Sequence, residues 1–256
     1  MKKLAKIDAV ILDIQNTQYK VTDHIKRHFD MAVISAVKEK DHDDKIANVL
    51  SAHAAFNAQR ISPVRGFSEA LSISEYSLQK TIHRNLHDKI YGYPIQHIKH
   101  DSKLCAATGR LTKYVKFATL TTLDADFAQD FYRVSGLRNI HKRESIFAHE
   151  DVDFAHKTAA EAYWPALNYL GYKQGDDLSA VLVVDDNREA LSCAKDLGMT
   201  TVCIGDANLS PLQNGPIDFE YQNIKVLMNE LYNAKREVTP NDGRKWTDYY
   251  IPSYTV

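Results

Sequence analysis

Residues 7–17 read IDAVILDIQNT, and the change of character at Asp13 decides the fold. Residues 7 to 12 form a short apolar run rich in β-branched side chains. That length and composition suit a strand buried on both faces. Asp13-Ile14-Gln15-Asn16-Thr17 is a polar turn, and helical periodicity follows it. Ile25, Phe29, Val33 and Val37 recur at four-residue steps, an apolar stripe on a helix of about 16 residues.

Residues 45 to 58 and 67 to 90 also read as mainly helical, with breaks at Pro63, Gly66, Gly92 and Pro94. A helical block of about 75 residues thus separates the first strand from the next, far more than a βαβ crossover needs. The excess predicts an inserted helical subdomain. Downstream the pattern alternates regularly. Residues 101 to 111 look helical, and YVKFATLT (114 to 121) looks like a strand. Residues 124 to 135 form a helix closed by Gly136, and residues 157 to 170 one closed by Gly171. AVLVV (180 to 184) and TTVCIG (200 to 205) are strands, and helices are expected over 187 to 197 and 223 to 237. This alternation predicts an α/β protein with a doubly wound parallel, Rossmann-like sheet and an inserted helical cap. Residues 1–19 and 96–237 would form the core domain and 20–95 the cap. Residues 238–256 would form a polar, aromatic tail with Trp246, Tyr249, Tyr250 and Tyr254, either loose or docked on the body or a partner.

The chain has 256 residues, 44% hydrophobic and 25% charged, with a formal net charge of -1. No overall field points to a nucleic acid polymer or a membrane surface. Cys105, Cys193 and Cys203 show neither CxxC nor metal-finger spacing and suit reduced thiols in a cytoplasmic protein. The apolar run near the N-terminus is interrupted by Asp8 and ends at Asp13, too short for a signal-peptide core. No stretch approaches the roughly 18 apolar residues of a membrane span. Oligomeric state is not encoded in any of these features.

Ligands of parallel sheets bind beyond the carboxyl ends of the strands. Three clusters fall there: Asp13 to Thr17, Thr119 to Thr122, and Asp185-Asp186-Asn187. Lys157 stands at a predicted helix start. Carboxylates, a hydroxyl and one ammonium at one edge suit a phosphate ester bound with a hard cation such as Mg²⁺. Singly, each has a plainer reading. Asp13 would be a turn residue or helix cap, the Asp185 cluster an N-cap, and Lys157 a surface lysine. The eleven histidines contain no HExxH or other metal spacing. His24, His28, His83, His87, His97 and His100 read as residues on solvated helical faces. Tyr91 and Tyr93 would line the cap or its core.

In order and spacing, these segments resemble the haloacid-dehalogenase superfamily, and within it the pyrimidine 5′-nucleotidase-like phosphatases. Their first motif is DxDxT, often DIDNTLY, against Asp13-Ile14-Gln15-Asn16-Thr17-Gln18-Tyr19 here. The second, a Thr or Ser at a strand end before a helix closed by Gly, corresponds to Thr121 and Gly136. The third, a Lys opening a helix closed by Gly, corresponds to Lys157 and Gly171, with Thr158 where Pro is usual. The fourth, a strand running into paired Asp, corresponds to VLVVDDNREALSCAKDLGM with Asp185 and Asp186. The resemblance implies that Asp13 is a nucleophile forming an aspartyl-phosphate. It implies Mg²⁺ held by Asp13, the Gln15 carbonyl, Asp185 and Asp186, with Thr121 and Lys157 orienting the phosphoryl oxygens of a small phosphorylated substrate.

One position departs. The family's phosphatases carry a second Asp two residues after the nucleophile, which protonates the leaving group and later activates water; here it is Gln15. An amide cannot exchange a proton in this way, and losing general acid/base catalysis typically costs roughly 10²–10⁴-fold. Two expectations follow. Either the chain is a Mg²⁺-dependent hydrolase of small phosphorylated metabolites, nucleotides among them, impaired or redirected by Gln15, or it is a catalytically silent member that binds a ligand or a protein.

Overall fold

Ala9–Leu12 forms the first strand, β1, with all four side chains buried. A computed structural model of the chain describes residues 3–58, 63–87, 94–152, 155–205 and 217–238. Gly92, Tyr91, Tyr93 and the tail from residue 239 onward lie outside these residues.

After β1 come four helices: α1 (Asp23–Lys40), α2 (Val49–Ala58), α3 (Pro63–Leu71) and α4 (Glu75–His87). Thr22 starts α1, its hydroxyl accepting a hydrogen bond from the Ile25 N–H, as an N-cap does. The expected stripe is present, with Ile25, Val33 and Val37 buried and Phe29 half-buried. The helices bury their apolar faces against one another around Ala36, Phe67, Leu78 and Ile82. None of their described residues enters the sheet.

The remaining elements are α5 (Ser102–Leu111), β2 (Lys116–Leu120), α6 (Ala125–Ser135), β3 (Ile146–Phe147), α7 (Trp164–Leu170), β4 (Val181–Asp185), α8 (Arg188–Asp196), β5 (Thr200–Ile204), β6 (Phe219–Tyr221) and α9 (Ile224–Val238). The strands form one six-stranded sheet in the order β3-β2-β1-β4-β5-β6, parallel throughout. Alternate residues of β1 feed opposite faces. Val10 and Leu12 pack with α5, α6 and α9, whereas Ala9 and Ile11 pack with α7 and α8. Burial on both faces explains why β1, β4 and β5 read as uninterrupted apolar runs. Each aliphatic side chain removed from water there contributes about 1.5–3 kcal/mol.

Three readings need correction. The helix expected over 157 to 170 is only α7, preceded by a turn and a short 3₁₀ segment, Ala160–Ala162. Pro165 explains the late start. It fits the first turn of a helix but has no N–H for a helix interior. Lys157 therefore sits in a turn, not at a helix start. The helix expected over 67 to 90 is two helices, because Ser72 takes a left-handed conformation (φ 58°) and the Ser74 hydroxyl accepts from the Ser77 N–H to cap α4. The helix expected from residue 45 begins at Val49, and the Asp41 carboxylate holds the Lys45 and Ile46 N–H groups in a preceding turn. The edge strands β3 and β6, of 2 and 3 residues, were not foreseen. They are too short to show a period.

The insert touches the strand-end loops. Gln79 on α4 donates to the Thr122 carbonyl (3.3 Å), and its Oε1 lies 2.8 Å from His149 Nδ1. His83 Nδ1 stands 3.1 Å from Asp124 Oδ2. Phe29 of α1 meets Phe127 of α6 with ring centroids 5.7 Å apart.

Candidate active site

The parallel register brings the ends of β1 and β4 side by side. Leu12 pairs with Val184, and the Asp13 N–H donates to the Val184 carbonyl at 2.9 Å. Asp13 and Asp185 thus emerge from adjacent strands at the same sheet edge. The Lys157 ammonium reaches both, lying 2.5 Å from Asp13 Oδ1 and 2.9 Å from Asp185 Oδ2. All three are buried, at 6%, 3% and 7% exposure for Asp13, Asp185 and Lys157. Asp186 completes the group. One carboxylate oxygen each from Asp13, Asp185 and Asp186 lie within 4.8 Å of one another. The second oxygen of Asp185 accepts from the Asn187 N–H (2.8 Å), and Asn187 in turn caps α8.

The turn after Asp13 is held locally. Asn16 adopts φ 54°, a left-handed conformation that Asn tolerates better than most residues, and its Oδ1 accepts from the Val21 N–H at 3.0 Å. Gln18 Nε2 donates to the Asp13 carbonyl (2.9 Å) and to the Tyr132 hydroxyl (2.8 Å). Tyr132 meets Thr119 Oγ1 at 2.6 Å, and Thr119 meets His141 Nδ1 at 3.0 Å. A buried polar chain therefore props the backbone of Asp13 from behind. Gln18, Tyr132 and His141 were not picked out from the sequence, because neither periodicity nor motif spacing marks them.

Thr121 follows the end of β2 at the same edge, and its hydroxyl accepts from the Leu123 N–H at 3.2 Å. Among the described residues its side chain makes no hydrogen bond to Lys157, Asp13 or Asp185. The Gln15 amide lies beside the Tyr19 hydroxyl, although that hydroxyl makes no hydrogen bond of good geometry among the described residues.

The electrostatics are unbalanced, with three carboxylates facing one ammonium. Burial pushes the Asp13 carboxyl up to about 7, with Lys157 opposing the shift and Asp185 adding to it. Burial and then Asp185 push Asp186 up to about 6. Burial disfavours the charged form of Lys157, but Asp13 and Asp185 outweigh it and hold the ammonium well above the usual lysine range. A site with only oxygen donors and excess negative charge fits a hard divalent cation. The residues present thus suit Mg²⁺, with Asp13, Asp185 and Asp186 as the available carboxylates. No helix among the described residues is long and apolar enough to cross a membrane.

No protein-family model matches the chain, and no curated protein matches it in sequence. Solved structures do match its fold. A HAD hydrolase, family IA, variant 3, from Entamoeba histolytica is 16% identical with a TM-score of 0.58, the match covering 89% of this chain and 100% of that one. An L-2-haloacid dehalogenase from Xanthobacter autotrophicus is 15% identical with a TM-score of 0.51, covering 91% and 100%. A candidate HAD-hydrolase from Bacillus subtilis, bound to magnesium, is 17% identical with a TM-score of 0.51, covering 88% and 98%. The chain has the α/β fold of haloacid-dehalogenase-like hydrolases.

Proposed function

We propose that this chain is a Mg²⁺-dependent hydrolase of small phosphorylated metabolites, of the pyrimidine 5′-nucleotidase-like type, with Gln15 narrowing its chemistry. The observation that carries this reading is the excess of negative charge around Lys157. An anionic substrate could not approach Asp13 against it without a cation. Asp13, Asp185, Asp186 and the Gln15 carbonyl would hold the metal. Mg²⁺ would offset the charge on the phosphoryl oxygens as Asp13 approaches phosphorus.

The chain's own groups divide the remaining work. Asp13 supplies the attacking oxygen, and the bond from phosphorus to the leaving oxygen breaks, giving an aspartyl-phosphate. Lys157 keeps Asp13 and Asp185 in place and balances phosphate charge. Thr121 accepts from Leu123, which leaves its own proton for a phosphoryl oxygen. Gln15 cannot give a proton to the leaving oxygen, so the leaving group must be stable as an anion. The four-helix insert would act as the cap over residues 20–95, with Gln79 and His83 seating it on the core. Three free cysteines support a reducing, cytoplasmic setting.

A second reading is favoured by Gln15 itself: a silent member that binds a phosphorylated ligand or a protein partner without turnover. One assay separates the two. Mg²⁺-dependent release of phosphate from an aryl or acyl phosphate, lost in Asp13→Asn, supports the enzyme. Metal binding without turnover of any phosphate ester supports the binding protein.

A further inference from the structure

A second cluster of metal-binding side chains stands apart from the carboxylates. His24 and His28 lie one turn apart on α1, so they share a face of the helix. His97 comes from Pro94–His97, the 3₁₀ segment through which the chain leaves the insert. The three rings gather tightly. Centroids are 4.6 Å apart for His24 and His28, 4.3 Å for His24 and His97, and 5.7 Å for His28 and His97. His28 Nε2 lies 2.9 Å from His24 Nδ1. One nitrogen from each ring lies within 4.8 Å of the others.

We propose that His24, His28 and His97 form a second metal site, for a borderline transition ion such as zinc, nickel or copper, that clamps the stem of the helical insert. Imidazole nitrogen suits these ions, whereas magnesium and calcium prefer oxygen donors. Bonds of about 2.0–2.1 Å to a shared zinc would replace the contact between His24 and His28, with the rings turning so that all three face one ion. Three protein ligands leave one position open for water or an anion. His24 and His97 border a cavity of about 530 Å³ that Lys20, Lys99, Lys225 and Asp101 also line, which leaves room for a water at that position.

The placement gives the site a consequence. His24 and His28 sit just after the chain enters the insert, and His97 just before it rejoins the core at α5. One ion bound to all three joins the incoming and outgoing segments and restricts hinge motion of the insert over the strand ends. The sequence expectation places these histidines on solvated helical faces, and helical spacing links only two of them. The third lies 69 residues further on and is brought in by the fold.

The test is zinc titration by calorimetry on the full chain, with saturating Mg²⁺ to occupy the carboxylate site. Wild type is expected to bind one zinc equivalent. His97→Ala and His24→Ala are expected to lose at least the roughly 10–100-fold in affinity that loss of even an outer-shell partner costs. His42→Ala, a histidine outside the cluster, is expected to bind as wild type does. Both His24 and His97 are exposed, so folding of their variants is not at risk, and circular dichroism checks it. Co²⁺ provides a second readout: a visible absorption spectrum showing nitrogen ligation in wild type, absent in His97→Ala. Zinc should also raise Tm in wild type but not in His97→Ala. Unchanged zinc affinity in His97→Ala, or no zinc binding by wild type at micromolar metal, overturns the proposal.

Discussion

Lys157 Nζ lies 2.5 Å from Asp13 Oδ1 and 2.9 Å from Asp185 Oδ2, so a single buried ammonium ties the ends of two adjacent strands. Removing one partner of such a group leaves uncompensated buried charge, which typically costs about 3–5 kcal/mol. Lys157→Met is therefore expected to lose stability of that order at neutral pH without divalent ions. Mg²⁺ should restore part of the loss, because a cation can replace the missing charge. Urea unfolding with and without Mg²⁺ measures both effects. Equal stability of variant and wild type would mean that the carboxylates are neutral and the ion pair is not what holds this edge.

Metal binding should depend on pH in a defined direction. Asp13 and Asp186 titrate at about 7 and about 6 because burial and the neighbouring Asp185 disfavour their charged forms. A cation needs them ionised, so binding releases protons, and Mg²⁺ affinity should weaken as pH falls through 7 and 6. The metal-free protein shows the opposite side of this linkage. Asp13 has a folded pKa above its unfolded value, so it opposes folding above pH 7, and the penalty fades as pH falls towards the unfolded pKa of about 4. Calorimetry in two buffers of different ionisation enthalpy counts the protons released. Asp185→Ala should abolish the binding altogether.

Much of this was legible in the sequence, for physical reasons. β1, β4 and β5 are buried on both faces, so their apolar runs stand out, and Asp13 and Asp185 mark the points where those runs meet the sheet edge. Gly136 and Gly171 close helices through local chemistry that any window of sequence contains. Lys157 was expected at a helix start and lies in a turn, and its contact with Asp13 spans a 144-residue separation that no local window of sequence contains. Gln18, Tyr132 and His141 escaped notice because a buried polar chain obeys no period. Each member is chosen by the group that it satisfies.

The contact between insert and core is a second point of attack. Gln79 is buried, and its amide serves both the Thr122 carbonyl and His149 Nδ1. Gln79→Leu keeps the bulk but removes both hydrogen bonds, each of which typically contributes about 0.5–1.5 kcal/mol. The loss should fall on the seating of the insert. Hydrogen exchange is expected to speed up in α4 and in residues 121–124 while β4 and β5 stay protected. A uniform loss of protection across the sheet would show that the insert and the core unfold as one unit.

His141 gives a stability prediction independent of the active site. Its ring is buried and stacked on Tyr132 with centroids 4.2 Å apart, and its Nε2 has no hydrogen-bond partner among the described residues. Burial pushes its pKa down to about 3. The unfolded chain takes up a proton near pH 6.5 whereas the folded chain does not, so stability is complete above 6.5 and is lost as pH falls towards 3. At pH 5 the loss should be about 2 kcal/mol relative to neutral pH. His141→Phe keeps the stacked ring and removes the titrating group, so its stability should fall less between pH 7 and pH 5 than that of wild type. The comparison isolates His141, because the opposite contribution of Asp13 is common to both proteins. Parallel pH profiles for the two would mean that the imidazole accepts a proton in the folded state.

Under the proposed mechanism, Gln15 limits turnover. If Asp13 attacks phosphorus, a leaving group that is already a stable anion needs no proton, but an alkoxide does. The wild-type chain should therefore hydrolyse aryl and acyl phosphates measurably and sugar or nucleoside monophosphates very slowly. Hydrolysis of the aspartyl-phosphate would lack a base as well, so a phosphoenzyme should accumulate and be visible by mass spectrometry after rapid quenching. Gln15→Asp supplies a carboxyl beside Asp13, and it should raise turnover of alkyl phosphates by roughly 10²-fold or more. Robust wild-type hydrolysis of nucleoside monophosphates would show that another group supplies the proton. No gain in Gln15→Asp with Mg²⁺ bound would instead identify the chain as a binding protein, in which Asp13, Lys157 and Asp185 hold a ligand they do not transform.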